Sequence, residues 1–214
     1  MEYGVCLLAA GKGSRTNLEY NKVFYKLENG KTVLDTGLSV FLNDEDCKEI
    51  VIVCAKYEME YVHSLYRRMN QIHIVEGGAT RQESVWNGLK EIKSPYVFIH
   101  DGARPYIKKE QIDALKKTLE TEDACLLMVP SVDTSKIIED GYVKETLIRS
   151  TVYNAQTPQC FKTELIKYCQ QRALEDGRTG TDDAQLVEWY GNTKIKMVLG
   201  DSSNIKITLP TDLK

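Results

Sequence analysis

A loop of small residues between Leu8 and Arg15 is the part of the sequence best suited to binding an anion. The loop reads LAAGKGSR, and a further cation, Lys22, follows seven residues after Arg15. Because glycine has no Cβ, the backbone at Gly11 and Gly13 can approach phosphate oxygens closely, and successive exposed N–H groups form an anion-binding concavity. The loop and its two cations therefore predict a nucleoside triphosphate site. The alternative is an ordinary connection between a strand and a helix, with solvated charges.

Two familiar phosphate-binding motifs do not fit this loop. The dinucleotide fingerprint G-x-G-x-x-G needs glycine or alanine at position 16, where the chain has Thr16. No segment matches the Walker A pattern G-x-x-x-x-G-K-[ST]. The sequence therefore favours neither a dinucleotide enzyme nor a P-loop NTPase.

A second glycine-containing segment, GGATRQES at residues 77–84, follows a predicted strand and opens a predicted helix. Thr80 is a candidate N-cap, and Glu83 three residues later would complete a capping box. The glycine pair ahead of the cap can also present backbone groups to a base or a ribose. The two interpretations are compatible.

The segment HDGARP at residues 100–105 ends the most hydrophobic central run of the chain. A carboxylate such as Asp101 at the end of a strand, beside a phosphate loop, is a candidate ligand for a divalent metal. Asp101 is alternatively a turn residue with Gly102. Arg104 either pairs with Asp101 or binds an anionic substrate.

Two segments near the C-terminal end are interpreted first as structural. TDDA at residues 181–184 places carboxylates at the start of a predicted helix, where the helix dipole favours them. Residues 204–208 alternate like a half-exposed strand, with Lys206 on the polar face. A solvated strand lysine is a more common role for Lys206 than a catalytic one.

Short apolar runs alternate with longer helical patterns along the chain. Runs that are apolar on both faces are typical of buried parallel strands, and this alternation predicts an α/β fold with right-handed crossovers. Strands are predicted at 3–9, 49–55, 72–75, 96–100, 124–129 and 194–199, and helices at 33–43, 58–69, 81–92, 109–120, 163–175 and 182–190.

Residues 131–152 interrupt this rhythm and predict an inserted β-hairpin. Asp140-Gly141, a type I′ turn signal, separates two short strand-like runs. An isolated hairpin is marginally stable in water, so this one must pack on a second subunit or on its own domain. No repeat or composition break divides the chain, which predicts a single domain over 1–214.

Composition and charge exclude several classes of protein. The 214 residues carry 28 Lys and Arg against 31 Asp and Glu, a net charge of −3, which is unlike a non-specific nucleic-acid binder. No apolar run is long enough for a membrane span, and the first residues do not resemble a signal peptide. Six scattered cysteines and three histidines show no metal-ligand spacing. We expect a cytoplasmic protein with reduced thiols and no membrane or nucleic-acid partner.

Taken together and in order, the motifs resemble the 2-C-methyl-D-erythritol 4-phosphate cytidylyltransferase family of the non-mevalonate isoprenoid pathway. The matching segments, which span residues 7–213, are LAAGKGSR with Lys22, GGATRQESVWNGL, HDGARP, TPQ at 157–159, TDDA, and NIKIT followed by Pro210 and Asp212-Leu213. The resemblance implies a Rossmann-like nucleotidyltransferase domain with a mostly parallel sheet. It further implies a homodimer paired through a protruding arm at 131–152, with CTP as co-substrate and Mg²⁺ as cofactor.

The resemblance also implies roles for individual residues. The implied catalytic residues are Arg15, Lys22, Arg149 and Lys206. The implied CTP-binding residues are Ala9, Ala10, Gly11, Gly13, Gly78, Ala79 and Ser84. The implied residues for the methylerythritol phosphate are Asp101, Arg104, Thr134, Arg149 and Lys206, with Asp101 also next to the metal and with Thr134 and Arg149 supplied by the neighbouring subunit. The chain departs from the family pattern after the glycines, where Thr16-Asn17 replaces Met-Gly, and before the arm arginine, where Ile148 replaces an aspartate.

The implied reaction is an attack by the substrate's phosphate oxygen on the α-phosphorus of CTP, which expels pyrophosphate. Two unit charges about 4 Å apart repel by about 4 kcal/mol at an effective dielectric near 20, so joining two anions requires fixed cations more than a general base. A related enzyme that uses ribitol 5-phosphate or a similar polyol phosphate is the main alternative. A nucleotide-binding module without turnover is a more distant one.

Overall fold

The protein is described by a computed structural model that covers residues 1–11 and 18–213. Two of the predicted site residues, Gly13 and Arg15, therefore lie outside the described residues.

Seven strands form one central sheet, and two more form a separate hairpin. The strands are β1 (Tyr3–Leu8), β2 (Cys47–Cys54), β3 (Ile72–Glu76), β4 (Tyr96–Asp101), β5 (Ala124–Pro130), β6 (Lys136–Glu139), β7 (Tyr142–Thr146), β8 (Tyr153–Lys162) and β9 (Lys196–Leu199). The helices are α1 (Val33–Leu42), α2 (Met59–Tyr66), α3 (Arg81–Glu91), α4 (Lys109–Thr118), α5 (Thr163–Glu175) and α6 (Asp183–Tyr190). The sheet order is β3-β2-β1-β4-β8-β5-β9, with the hairpin formed by β6 and β7.

The sheet is mostly parallel, as predicted. All its neighbouring pairs are parallel except those of β8, which runs antiparallel to both β4 and β5. Helices α1, α2 and α4 contribute to the core on one face, and α3, α5 and α6 to the core on the other. Because the central strands are covered on both sides, their residues are apolar on both faces, which is the pattern that identified them in the sequence.

Strand β8 was not predicted. Its buried segment carries Gln156, Thr157 and Gln159, so a search for apolar runs passes over it. These side chains are tolerated in the interior because each has hydrogen-bond partners, as buried polar groups require.

The predicted strand at residues 204–208 was wrong. The segment has no ladder with any described strand. Besides two local bonds donated by the N–H groups of Asn204 and Ile205, its backbone donates from the Ile207 N–H to the Ala103 carbonyl at 2.9 Å. Asn204 is fully buried, and its side chain donates to the Thr157 carbonyl at 3.0 Å. The alternation in the sequence thus reflects an extended segment that passes the end of β8, and Lys206 lies on that segment.

The hairpin was predicted correctly. Asp140 and Gly141 have φ values of 53° and 83°, and positive φ at both central residues is the requirement of a type I′ turn. Every residue of β6 and β7 is exposed. The exposed side chains include Ile138, Tyr142 and Val143.

Close contacts at the carboxyl edge of the sheet hold the predicted loops together. The Gly102 N–H donates to the Leu8 carbonyl at 2.8 Å, which joins the ends of β4 and β1. At Gly77, a Cβ would lie 2.6 Å from the Ala10 Cβ, so glycine is needed for the second loop to pack on the first. Within the described residues, no helix is both long and apolar enough to cross a bilayer.

Candidate active site

A cavity of about 660 Å³ opens at the carboxyl ends of β1 and β4. Several of the residues predicted to act on substrates line it: Ala10, Gly11, Lys22, Gly78, Ala79, Ser84, Asp101 and Lys206. Segments that are far apart in the sequence thus meet at one edge of the sheet, where open α/β sheets bind ligands.

Asn21 positions Lys22 in the cavity wall. The Asn21 side chain donates to the Ala9 carbonyl at 2.7 Å, and its Oδ1 accepts from the Val23 N–H at 3.3 Å. This second bond caps the single 3₁₀ turn Lys22–Phe24. Lys22 is buried in the wall. Ala9, one of the predicted CTP-binding residues, is buried and does not line the cavity. No sequence motif pointed to Asn21, although its place just before a short turn is typical of an N-cap.

The second loop is closed by its own helix. The Thr80 hydroxyl accepts from the Glu83 N–H at 3.1 Å, so the predicted N-cap is present. The predicted return bond is different, because the Glu83 carboxylate accepts from the Ala79 N–H at 2.7 Å. The Gly78 N–H donates to the Ser84 hydroxyl at 3.0 Å. These two N–H groups are therefore engaged within the loop, while the loop itself lines the cavity.

Four charged side chains form a chain across the cavity wall. The Lys206 Nζ lies 2.7 Å from Asp101 Oδ2, and the Arg81 Nε lies 3.5 Å from Asp101 Oδ1. The Arg81 Nη2 also donates to Asp183 Oδ2 at 2.8 Å. In the sequence, Arg81 and Asp183 were recognised only as residues at the start of two predicted helices. Their pairing across about half of the chain leaves no signal in a single sequence.

Burial and ion pairing set the protonation of these groups. Burial opposes ionisation of Asp101, but Arg81 and Lys206 outweigh it and hold the pKa of Asp101 well below its usual range. Burial also disfavours the charged form of Arg81, yet Asp183 and Asp101 raise the pKa of its guanidinium. For Asp183, burial raises the carboxyl pKa, against the opposing effect of Arg81.

Asp101 can serve as the protein ligand of a magnesium ion. Mg²⁺ keeps several waters and binds proteins through one or two carboxylates together with substrate phosphates. No group of three or more His, Cys, Asp or Glu side chains suited to a metal occurs among the described residues. A metal at this edge would therefore rely on Asp101 and on ligand phosphates, in competition with Lys206 and Arg81.

Three predicted substrate residues lie away from this cavity. Arg104 donates from Nη1 to the Asn204 carbonyl at 2.7 Å and does not line the cavity, although Ala103 beside it does. Thr134 and Arg149 are exposed, just before β6 and just after β7 respectively. Within the described part of one chain, neither of them lines the pocket that holds Lys22 and Lys206.

His100 is fully buried beside the site and supports it without facing it. Thr157 Oγ1 accepts from the Asp101 N–H at 3.0 Å, which leaves its own hydrogen to donate to His100 Nδ1 at 3.1 Å. The Nε2–H then donates to the Arg104 carbonyl at 3.1 Å. Both ring nitrogens of His100 are therefore engaged in hydrogen bonds.

Known proteins match this arrangement over the whole chain. The family model of IspD, 2-C-methyl-D-erythritol 4-phosphate cytidylyltransferase, matches residues 4–214. The chain belongs to the 2-C-methyl-D-erythritol 4-phosphate cytidylyltransferase family. The family predicted from the motifs is thereby confirmed, as is its enzymatic class, nucleotidyl transfer.

Relatives in the cytidylyltransferase family include proteins of that name from Bacillus velezensis and Clostridium novyi. The first is 41% identical over 217 residues, which cover 100% of this chain and 93% of the relative. The second is 43% identical over 213 residues, which cover 97% and 91%.

Solved structures of the cytidylyltransferase family share the fold. The 4-diphosphocytidyl-2C-methyl-D-erythritol synthase of Anaerococcus prevotii has a TM-score of 0.89 at 33% identity, over 99% of this chain and 92% of that one. The Francisella tularensis enzyme has a TM-score of 0.84 at 31% identity, over 100% and 97%. These likenesses favour the methylerythritol phosphate enzyme over the ribitol 5-phosphate alternative and over a module without turnover.

We predict that His100 stays neutral in the folded protein down to about pH 5. Burial lowers the pKa of His100 to about 4, whereas in the unfolded chain it returns to about 6.5. The unfolded state therefore binds more protons between these values, and the free energy of unfolding falls as the pH drops from about 6.5 to about 4.

An NMR titration of the imidazole signals tests this, with the signals assigned by the variants His63→Gln and His73→Gln. A His100 midpoint at or above about pH 6 would contradict the buried, doubly hydrogen-bonded geometry.

Proposed function

We propose that this protein transfers CMP from CTP to 2-C-methyl-D-erythritol 4-phosphate and releases pyrophosphate, using the cavity at the edge of β1 and β4. The observation that carries the proposal is the meeting of two glycine loops, Lys22, Lys206 and Asp101 in one pocket of a chain of this family.

The cations of the pocket suit a reaction between two anions. A phosphate nucleophile is already ionised at neutral pH, so the main barrier that the protein must lower is charge repulsion and misorientation. Lys22 and Lys206 line the pocket and supply two positive charges. Arg15 belongs to the same set in this proposal, because it follows the glycine loop by sequence. An arginine grips two phosphate oxygens at once, while each lysine acts as a point charge.

The loops suit recognition of CTP. Ala9, Ala10 and Gly11, with Gly13 next in sequence, present the first loop to the triphosphate. The second loop, with Gly78, Ala79 and Ser84, holds the base. Because the Gly78 and Ala79 N–H groups donate within the loop, their carbonyl oxygens are the groups left for the ligand. A carbonyl accepts from the amino group of cytosine and cannot accept from the keto oxygen of uracil.

Asp101 is the residue proposed to hold Mg²⁺, together with the phosphates of CTP. When bound, the ion neutralises part of the charge that builds up on the triphosphate. Lys206 and Arg104 are proposed to bind the polyol phosphate. Lys206 would do so from the pocket wall and Arg104 from the adjoining turn.

The hairpin arm at residues 131–152 is proposed to pair two copies of the chain, each a single nucleotidyltransferase domain over 1–214. The support is chemical: the arm exposes several large apolar side chains, with Val132, Tyr142 and Ile148 each more than two-thirds exposed. Large exposed apolar patches mark interaction sites. Pairing through the arm would bring Thr134 and Arg149 to the partner's pocket. The proposed location of this homodimer is the cytoplasm.

Pyrophosphate release from CTP, measured with each of several polyol phosphates, tests the function. We expect turnover with 2-C-methyl-D-erythritol 4-phosphate and little with ribitol 5-phosphate, and little with UTP in place of CTP. Equal turnover with ribitol 5-phosphate would transfer the assignment to the alternative enzyme. CTP binding without any turnover would indicate a binding module.

We predict that Lys22→Ala lowers kcat by about 10²–10⁴-fold, as loss of a preorganised charge at the reacting phosphates does. Lys26→Ala is the matched control, because Lys26 is exposed four residues away and has the same charge. Near-normal turnover in Lys22→Ala, or an equal loss in Lys26→Ala, would remove Lys22 from the mechanism.

We predict that Arg149→Ala raises KM for the polyol phosphate far more than KM for CTP, because Arg149 is proposed to contact only the former. Lys144→Ala is the control, since it removes an exposed cation of the same arm that pairs with Glu139 at 2.7 Å. An effect confined to CTP would contradict the assignment.

Mixing the two impaired variants, assayed at a polyol phosphate concentration well below the raised KM of Arg149→Ala, shows whether Arg149 acts on the partner's pocket. In a mixed dimer of Lys22→Ala and Arg149→Ala, one pocket keeps its own Lys22 and receives an intact Arg149. Unfolding and refolding an equal mixture should make about half of the dimers mixed and restore about a quarter of wild-type activity. If Arg149 acted within its own chain, the mixture would remain inactive.

A further inference from the structure

Arg81 is held from two sides by carboxylates. Its guanidinium lies 2.8 Å from Asp183 and 3.5 Å from Asp101, while its side chain remains about one-third exposed and lines the cavity. The Asp183 side chain is 2% exposed, and Arg81 is its cationic partner. A buried ion pair of this kind adds little to the stability of the fold, because desolvation offsets the attraction. Its main effect is to fix the position of the cation.

The position of Asp183 is itself fixed by hydrogen bonds. It is the first residue of α6, and Gln159 of β8 braces the start of that helix. The Gln159 Oε1 accepts from the Ala184 N–H at 2.9 Å, and its Nε2 donates to Asp182 at 2.8 Å. Asp183 is thereby tied to the central sheet.

A second set of hydrogen bonds joins the segment before α6 to α3, the helix that carries Arg81. The side chain of Gln82 donates to the Arg178 carbonyl at 3.1 Å and accepts from the Gly180 N–H at 2.9 Å. These two hydrogen bonds join the segment before α6 to the first turn of α3.

Lys206 differs from Arg81 in how it is held. Its Nζ pairs with Asp101 at 2.7 Å, and Asp101 is its one carboxylate partner within the described residues. The segment that carries it has no sheet ladder. A ligand that competes for Asp101 would therefore release Lys206, whereas Arg81 would still be held by Asp183.

We propose that Asp183 is a positioning residue that acts through Arg81: it keeps the Arg81 guanidinium in the pocket wall beside the CTP-binding loop while Lys206 is exchanged between Asp101 and the substrate. The proposal rests on the function proposed above and adds two residues to it. Arg81 directly follows Thr80 at the end of the second glycine loop, so its fixed charge acts on CTP. Loss of Asp183 therefore affects CTP more than the polyol phosphate.

The test uses Asp183→Asn, which keeps the size of the side chain and an acceptor oxygen but removes the charge. We expect kcat/KM for CTP to fall about 10- to 100-fold, as loss of a residue that orients an active-site group does, with KM for the polyol phosphate changed by less than about twofold. Glu188→Gln is the matched control, because it removes an exposed carboxylate of the same helix that does not line the cavity, and it should leave both constants within about twofold.

A double-mutant cycle separates positioning from a general structural role. If Asp183 acts through Arg81, Asp183→Asn has no further effect on CTP once Arg81→Met is present. If its effect persists in full in the Arg81→Met background, or falls equally on both substrates, the proposal is wrong.

Calorimetric CTP affinity, measured in the same four proteins, keeps the test independent of turnover. A wild-type protein that binds CTP but releases no pyrophosphate would contradict the proposed function. The double-mutant cycle measured in CTP affinity would still test whether Asp183 acts through Arg81. Should Asp183→Asn not fold, Arg81→Lys replaces it, since lysine keeps the charge but puts a compact ammonium in place of the planar guanidinium fork that reaches Asp101 and Asp183. The same selective loss of CTP affinity is expected, and unchanged affinity overturns the proposal.

Discussion

The ionised carboxylate of Asp101 is the constraint on which the pocket depends. A site for two phosphate-bearing substrates needs concentrated positive charge, yet unpaired buried cations destabilise a protein before any substrate arrives. The structure resolves this by pairing: Lys206 and Arg81 lie against Asp101, and Arg81 also lies against Asp183. Two cations and two carboxylates balance to zero net charge. Within this cluster the charges are thus mutually compensated, and in the proposed reaction a phosphate would compete with these carboxylates for the cations.

Strand β8 supports this cluster from below. It is antiparallel in an otherwise parallel sheet, and its polar side chains reach three different parts of the site. Thr157 accepts from the Asp101 N–H, Gln156 donates to the Asp201 carbonyl, and Gln159 braces the start of α6. Several of the supporting residues thus come from one strand, while the charged groups lie at the ends of other elements: Asp101 ends β4, Arg81 begins α3 and Asp183 begins α6.

The parts of the fold that the sequence could predict are those with a local physical signature. Apolar runs identified β1 to β5 and β9, and Asp140-Gly141 identified the hairpin because few residues tolerate positive φ. Strand β8 escaped because its buried positions are filled by hydrogen-bonded amides rather than by apolar side chains. Around the pocket, the motifs and the family resemblance pointed to Gly11, Lys22, Gly78, Asp101 and Lys206, which line it, while their roles stay predictions. The Arg81–Asp183 pair was not, since only the folded chain brings together two residues separated by 102 positions.

The burial of all six cysteines has a consequence for how this protein meets reactive chemicals. Burial raises the pKa of Cys47 to about 12 and those of Cys54 and Cys169 to about 11, and it also raises those of Cys6 and Cys160. Because electrophiles attack the thiolate, alkylating compounds and peroxides have little to modify while the sheet is closed. The rate of covalent labelling by a maleimide would then report the rate at which the core opens. An inhibitor that reacts covalently with cysteine would find no cysteine among the described residues that line the pocket.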